Sequence, residues 1–148
     1  MKRMVSAVLL FFIFPSIAFA LPDSPNPQDW FSRSKTDLLD AQMILNNTDH
    51  YDQVCFLAHQ SIEKALKGAL ISRGIQPDKS HFTAQLAGRL SKLGINLKRY
   101  HKYLNEMDRF YVPSRYPRAG YTFSKEQAAS SLEISQAIYD EVTGESNG

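Results

Sequence analysis

Twelve residues, RFYVPSRYPRAG from Arg109 to Gly120, gather three arginines, two tyrosines and two prolines. A guanidinium stays charged and offers paired donors, so Arg109 and Arg115 have the chemistry to hold a phosphate. Tyr111 and Tyr116 carry flat faces on which a base can stack, as sequence-tolerant single-strand binders use them. Pro113 and Pro117 lack the amide hydrogen that a helix interior needs, so the stretch is expected to be a loop held in a defined shape. The plainer account fits the same residues: Arg115 and Arg118 solvate a loop, and Tyr111 and Tyr116 close the end of a core.

A second set lies upstream, where Gln60, Glu63, Lys64 and Lys67 share a helix face. Glu63 and Lys67, four apart in the favourable orientation, form a solvated salt bridge on one reading. On the other, the set joins Asp37 as a polar cluster lining a groove between two helices. His59 and Glu63 also share a face, but the second histidine and third ligand of a zinc-protease helix are missing, so no metal site is expected. His81 opens a helix, where a structural role is expected. There is neither a glycine-rich phosphate loop nor a Gly-x-Ser-x-Gly elbow, and no cofactor is expected. A single cysteine, Cys55, excludes an intrachain disulfide and multi-cysteine metal sites, and its apolar surroundings predict a buried, inert thiol. Asn46-Asn47-Thr48 is a glycosylation sequon, which matters only in a eukaryotic secretory host.

These residues need elements to position them, and the first twenty stand apart from those elements. Residues 1–20 place Lys2 and Arg3 before an apolar run that ends in Ala18-Phe19-Ala20, the pattern of a cleaved secretory signal. A genuine signal implies an exported or periplasmic protein, whereas a start codon placed too far upstream implies a cytoplasmic one. No stable membrane span is expected unless the segment stays uncleaved. Without Lys2 and Arg3 the chain has 15 basic and 15 acidic residues, so an anionic partner must be met by a local patch.

Residues 21–27 read as a proline-rich linker, 28–143 as one helical domain and 144–148 as a tail. A length of 148 residues suits one domain, and 43% hydrophobic with 22% charged residues suits a globular one. Asn26 and Pro27 start helix one, which runs from about Gln28 to Leu45. Tyr51, Val54, Ala58, Ile62, Ala65 and Ala69 make the stripe of helix two, which Gly74 closes. A short third helix spans about Ser80 to Leu93, and a fourth, capped by Asn96, carries Leu97, Tyr100, Leu104, Met107 and Tyr111 as far as Pro113. Ser124 and Gln127 form a capping box for the last helix. No stretch alternates with the period of a strand, and the expected fold is all-α: an antiparallel four-helix up-and-down bundle with a short additional helix.

In this order the motifs resemble the HEPN domain family. WFSRSKTDLLDAQMIL is similar to its first helix, YDQVCFLAHQSIEKALKGALISRG to its second with the Gln-x-x-Glu-Lys-Ala-x-Lys pattern, HFTAQLAGRL to the helix that follows, and RFYVPSRYP to its arginine-rich aromatic loop. The resemblance implies a domain that dimerises, is often encoded beside a minimal nucleotidyltransferase, and binds nucleotides or cleaves RNA. Its ribonuclease members pair an arginine with a histidine four to six residues on. Here Arg109 is followed after six residues by Tyr116, and a phenol is a poor general base at neutral pH. The expectation is therefore a nucleotide- or RNA-binding homodimer using Arg109, Arg115, Tyr116, Tyr111, Gln60, Lys64, Lys67 and Asp37. Two alternatives stand beside it. One is a metal-independent ribonuclease with a degenerate site that uses Arg109 with Tyr116, or with a histidine from elsewhere. The other is an exported, non-catalytic interaction module.

Overall fold

The computed structural model describes residues 22–116 and 119–145. The signal-like residues 1–20, Leu21 of the linker, Pro117 and Arg118 of the aromatic stretch, and the last three residues of the tail lie outside the described residues. Five α-helices follow in order: α1 (Pro27–Asn47), α2 (Tyr51–Ile71), α3 (Thr83–Ser91), α4 (His101–Arg115) and α5 (Lys125–Thr143). A 3-10 turn at Lys98–Tyr100 leads into α4. The fold is all-helical, four long helices and the short α3, and none among the described residues is long and apolar enough to cross a membrane.

Local chemistry sets the ends. Asn26 accepts from the Gln28 amide at 3.1 Å, and Pro27 takes the first helical position, where its missing N–H costs nothing. Ser124 and Gln127 satisfy each other's backbone amides as a capping box at the start of α5. After α2, Gly74 turns the chain with φ at +72°, a conformation that a side chain disfavours.

The centre of the bundle is α2, which packs against all four other helices. Its small residues explain how. Ala58, Ala65 and Ala69 are fully buried, and Gly68 lies so close to α1 that a Cβ there would stand 2.8 Å from the Phe31 ring and 3.1 Å from Trp30 Cβ. Larger residues fill the gaps: Ile62, Leu66 and Leu70 of α2 meet Leu86 and Leu90 of α3, Leu104 of α4 and Ile138 of α5. Cys55 is buried in the second part of the core with its Sγ 3.8 Å from Ser131 Oγ, and burial pushes its thiol up to about 11.

The expected loop is the main correction. Helix α4 continues through Pro113 to Arg115, so most of the described aromatic stretch is helical. Proline's fixed φ is itself helical, and Pro113 stands in the last turn, where it removes one backbone donor. The chain closes the next turn with the Tyr116 amide on the Val112 carbonyl at 3.1 Å. At its other end α4 is not capped by Asn96, whose side chain accepts from the Lys98 amide at 3.2 Å and so serves the 3-10 turn instead.

Candidate functional site

The polar face of α2 resolves into two connected sets. In the first, Lys64 Nζ donates to Asp37 Oδ2 of α1 at 2.5 Å and to Gln60 Oε1 at 3.4 Å. Asp37, Gln60 and Lys64 therefore meet in the groove between α1 and α2. Burial raises the Asp37 carboxyl above its ordinary value by more than the Lys64 ammonium lowers it.

In the second set, Lys67 Nζ donates to Glu63 Oε1 at 2.7 Å, and the two side chains are 7% and 8% exposed. The solvated salt bridge is therefore excluded: this pair is buried, with the ammonium 5.8 Å from the centre of the Trp30 ring. His81 Nδ1 lies 3.0 Å from the same Glu63 oxygen, and its side chain is 57% exposed. Because a carboxylate only accepts, Nδ1 carries the hydrogen and Nε2 is left as the free ring nitrogen. A cleft of about 330 Å³ opens here, lined by Asp23 and Trp30, by Glu63, Lys64 and Lys67 of α2, and by Lys79 and His81 of the α2–α3 connection.

From this cleft the polar and aromatic groups run on across α4. The His81 and Tyr111 rings stack at 5.8 Å with 12° between their planes. Tyr111 lies 4.6 Å from the His59 ring and 6.5 Å from Phe56. Arg115 then caps the stack: its guanidinium carbon is 5.3 Å from Tyr111, 5.7 Å from Phe56 and 5.6 Å from Tyr116. Its Nη1 also donates to the Tyr111 hydroxyl at 2.6 Å. Beyond Arg115 and Tyr116 a groove of about 540 Å³ carries Asp49 and Asp52, so the character changes from cationic to acidic.

A buried support lies beneath Tyr111. His59 Nε2 donates to Asp108 Oδ1 at 3.1 Å, while His59 Nδ1 is buried without a partner. The Asp108 carboxylate also accepts from the Thr83 hydroxyl at 2.7 Å and from the Thr83 and Ala84 amides at 2.8 and 3.1 Å. It thus caps α3, whose own N-cap residue, Phe82, has no side-chain acceptor. Burial pushes the Asp108 carboxyl up, but these donors outweigh it and hold it below its ordinary value.

Seven of the eight predicted residues fall into this arrangement: Asp37, Gln60 and Lys64 in the first set, Lys67 in the second, and Tyr111, Arg115 and Tyr116 along α4. Arg109 does not. It is exposed and separated from Tyr111 by about 200° around the helix, so it points away from the stack. Sequence reasoning missed Asp108 and the part of Trp30 in the cleft, and it assigned His81 a structural role only. Asp108 meets partners 24 to 49 residues away, and no local spacing announces such contacts.

The comparisons with known proteins agree with this architecture. The HEPN domain family model matches residues 27–145. The crystal structure of TT1696 from Thermus thermophilus is 28% identical, with a TM-score of 0.71, over 82% of this chain and 98% of that one. ST0689, described as an archaeal HEPN homologue, is 26% identical with a TM-score of 0.65, over 80% of this chain and 96% of that one. No curated protein matches the chain.

Proposed function

The chain belongs to the HEPN domain family, and from that premise we propose a nucleotide- or RNA-binding domain that acts as a homodimer with a minimal nucleotidyltransferase as partner. One observation carries the binding reading: a run of basic groups and rings from His81 through Tyr111 to Arg115 and Tyr116, with Lys67 joined to its start through Glu63. The His81, Tyr111 and Arg115 groups pack face to face at 5 to 6 Å and so hold one another in place, which lets the basic groups meet phosphates while the exposed Tyr116 ring offers a base a face to stack on. Holding rather than cutting is favoured by the family motif itself, since the histidine expected after Arg109 is replaced by Tyr116.

The test is binding of short single-stranded RNAs and nucleotides. Arg115→Ala should weaken RNA binding by roughly tenfold, because a stacked guanidinium contributes about 1 to 2 kcal/mol, while Arg109→Ala leaves it nearly unchanged. Equal losses for the two variants would place the binding surface elsewhere. Crosslinking or sedimentation of the purified protein tests the homodimer, and co-purification tests the nucleotidyltransferase partner.

Metal-independent RNA cleavage is a second reading, favoured by the Glu63–His81 pair, in which a carboxylate orients an imidazole that faces solvent. RNA incubated with the protein and a chelator should be cut by wild type and spared by His81→Ala; intact RNA in both samples ends this reading. Export belongs to the proposal if residues 1–20 act as a signal, which mass spectrometry of the natural N-terminus decides.

A further inference from the structure

Lys67 is a buried ammonium with three N–H donors, and Glu63 takes one of them. The others belong to a group that lines the cleft beside Trp30. His81 faces the same cleft, with Nδ1 committed to Glu63 and Nε2 free. Lys79 supplies a third basic side chain there, while the fourth, Lys64, is held by Asp37. The remaining groups that face this cluster are Asp23 and Trp30 from the N-terminal side and the Tyr111 ring from α4.

This set distinguishes two kinds of phosphate by counting protons. An internal phosphodiester has no proton to bring to a hydrogen bond with Nε2. A phosphate monoester can bring one of its own, since its second proton leaves with a pKa of about 6. That proton can bridge a monoester oxygen and Nε2 in a charge-assisted hydrogen bond. The monoester also has three unsubstituted oxygens for Lys67, Lys79 and Nε2, where a diester has two.

We infer that the Lys67–His81 cleft binds a terminal phosphate monoester, either the phosphorylated end of an RNA lying along the Tyr111–Arg115 run or a free nucleoside monophosphate. This rests on the binding reading above and adds an end-specific pocket to it.

The experiment compares one short oligoribonucleotide in 5′-phosphorylated, 3′-phosphorylated and hydroxyl-ended forms, together with nucleoside 5′-monophosphates and the matching nucleosides. Anisotropy or calorimetry is read with wild type, His81→Gln, Lys79→Ala and Arg115→Ala. One phosphorylated form should bind wild type about tenfold more tightly than its hydroxyl-ended twin, the worth of one charge-assisted contact. His81→Gln, at an exposed side chain that leaves the core untouched, should abolish that preference, so that the phosphorylated form binds no more tightly than its hydroxyl-ended twin. Lys79→Ala should reduce the preference, and Arg115→Ala should weaken all the RNAs alike. If only monophosphates bind and His81→Gln removes their advantage over nucleosides, the free nucleotide is the source. Equal binding of all RNA ends by wild type overturns the end pocket and leaves the RNA reading standing, whereas no binding of any probe overturns both.

Discussion

At the scale of single residues, Glu63 is where the polar contacts converge, since one oxygen serves both Lys67 and His81. Glu63→Ala strands a buried ammonium, and we expect a loss of about 3 kcal/mol in urea unfolding. Replacing both members, as Glu63→Leu with Lys67→Met, should recover most of that loss, because an apolar pair carries no desolvation penalty. Asp108 gives a pH signature. Its folded carboxyl lies below the ordinary 3.8, so its contribution is present in full above that value and is lost as pH falls through the lower folded value. Acid titration of stability should therefore fall more steeply for wild type than for Asp108→Asn below pH 4, and parallel curves would remove Asp108 from that role. The sequence exposed Gln60, Lys64 and Lys67 because helical spacing puts them on one face. It hid Asp108 and Trp30 because their partners come from other helices.

At the scale of elements, the small residues Ala58, Ala65, Gly68 and Ala69 let neighbours come close to α2, while Ile62, Leu66 and Leu70 fill the space between them. Gly68→Ala should destabilise by about 1 to 3 kcal/mol, since the new methyl meets the Phe31 ring and Trp30 Cβ of α1. Pairing it with Phe31→Leu should return part of the loss, and strict additivity of the two variants would show that they do not share this contact. Helix existence was legible throughout, as hydrophobic periodicity and caps such as Asn26 and the Ser124–Gln127 box act locally. The end of α4 was not. Pro113 costs one backbone hydrogen bond, but so near the C-terminal end its helical φ lets the chain run on for two more residues before the helix stops. That extra turn is what brings Arg115 back over Tyr111, four residues earlier, so the misread element bears directly on the site.

At the scale of the molecule, the charges balance once Lys2 and Arg3 are set aside, and the run of basic groups from the cleft to Arg115 has Asp23 at one end and Asp49 and Asp52 at the other. Binding of single-stranded RNA should therefore show a shallow salt dependence, with a slope of about −2 in log K against log salt, as expected for some three phosphate contacts at about 0.7 each. A slope several times steeper would mean that a wider surface takes part. The all-helical architecture could be read from pattern alone, but the convergence of the cleft on α4 needed the packing of α3 against both. The chain has one tryptophan, and that residue forms a wall of the cleft, its Nε1 tied to the Ser24 carbonyl at 2.8 Å and its ring beside Lys67. Every photon of indole emission from this protein thus originates at the cleft, so a bare phosphate titrated into an unlabelled sample would report its own arrival.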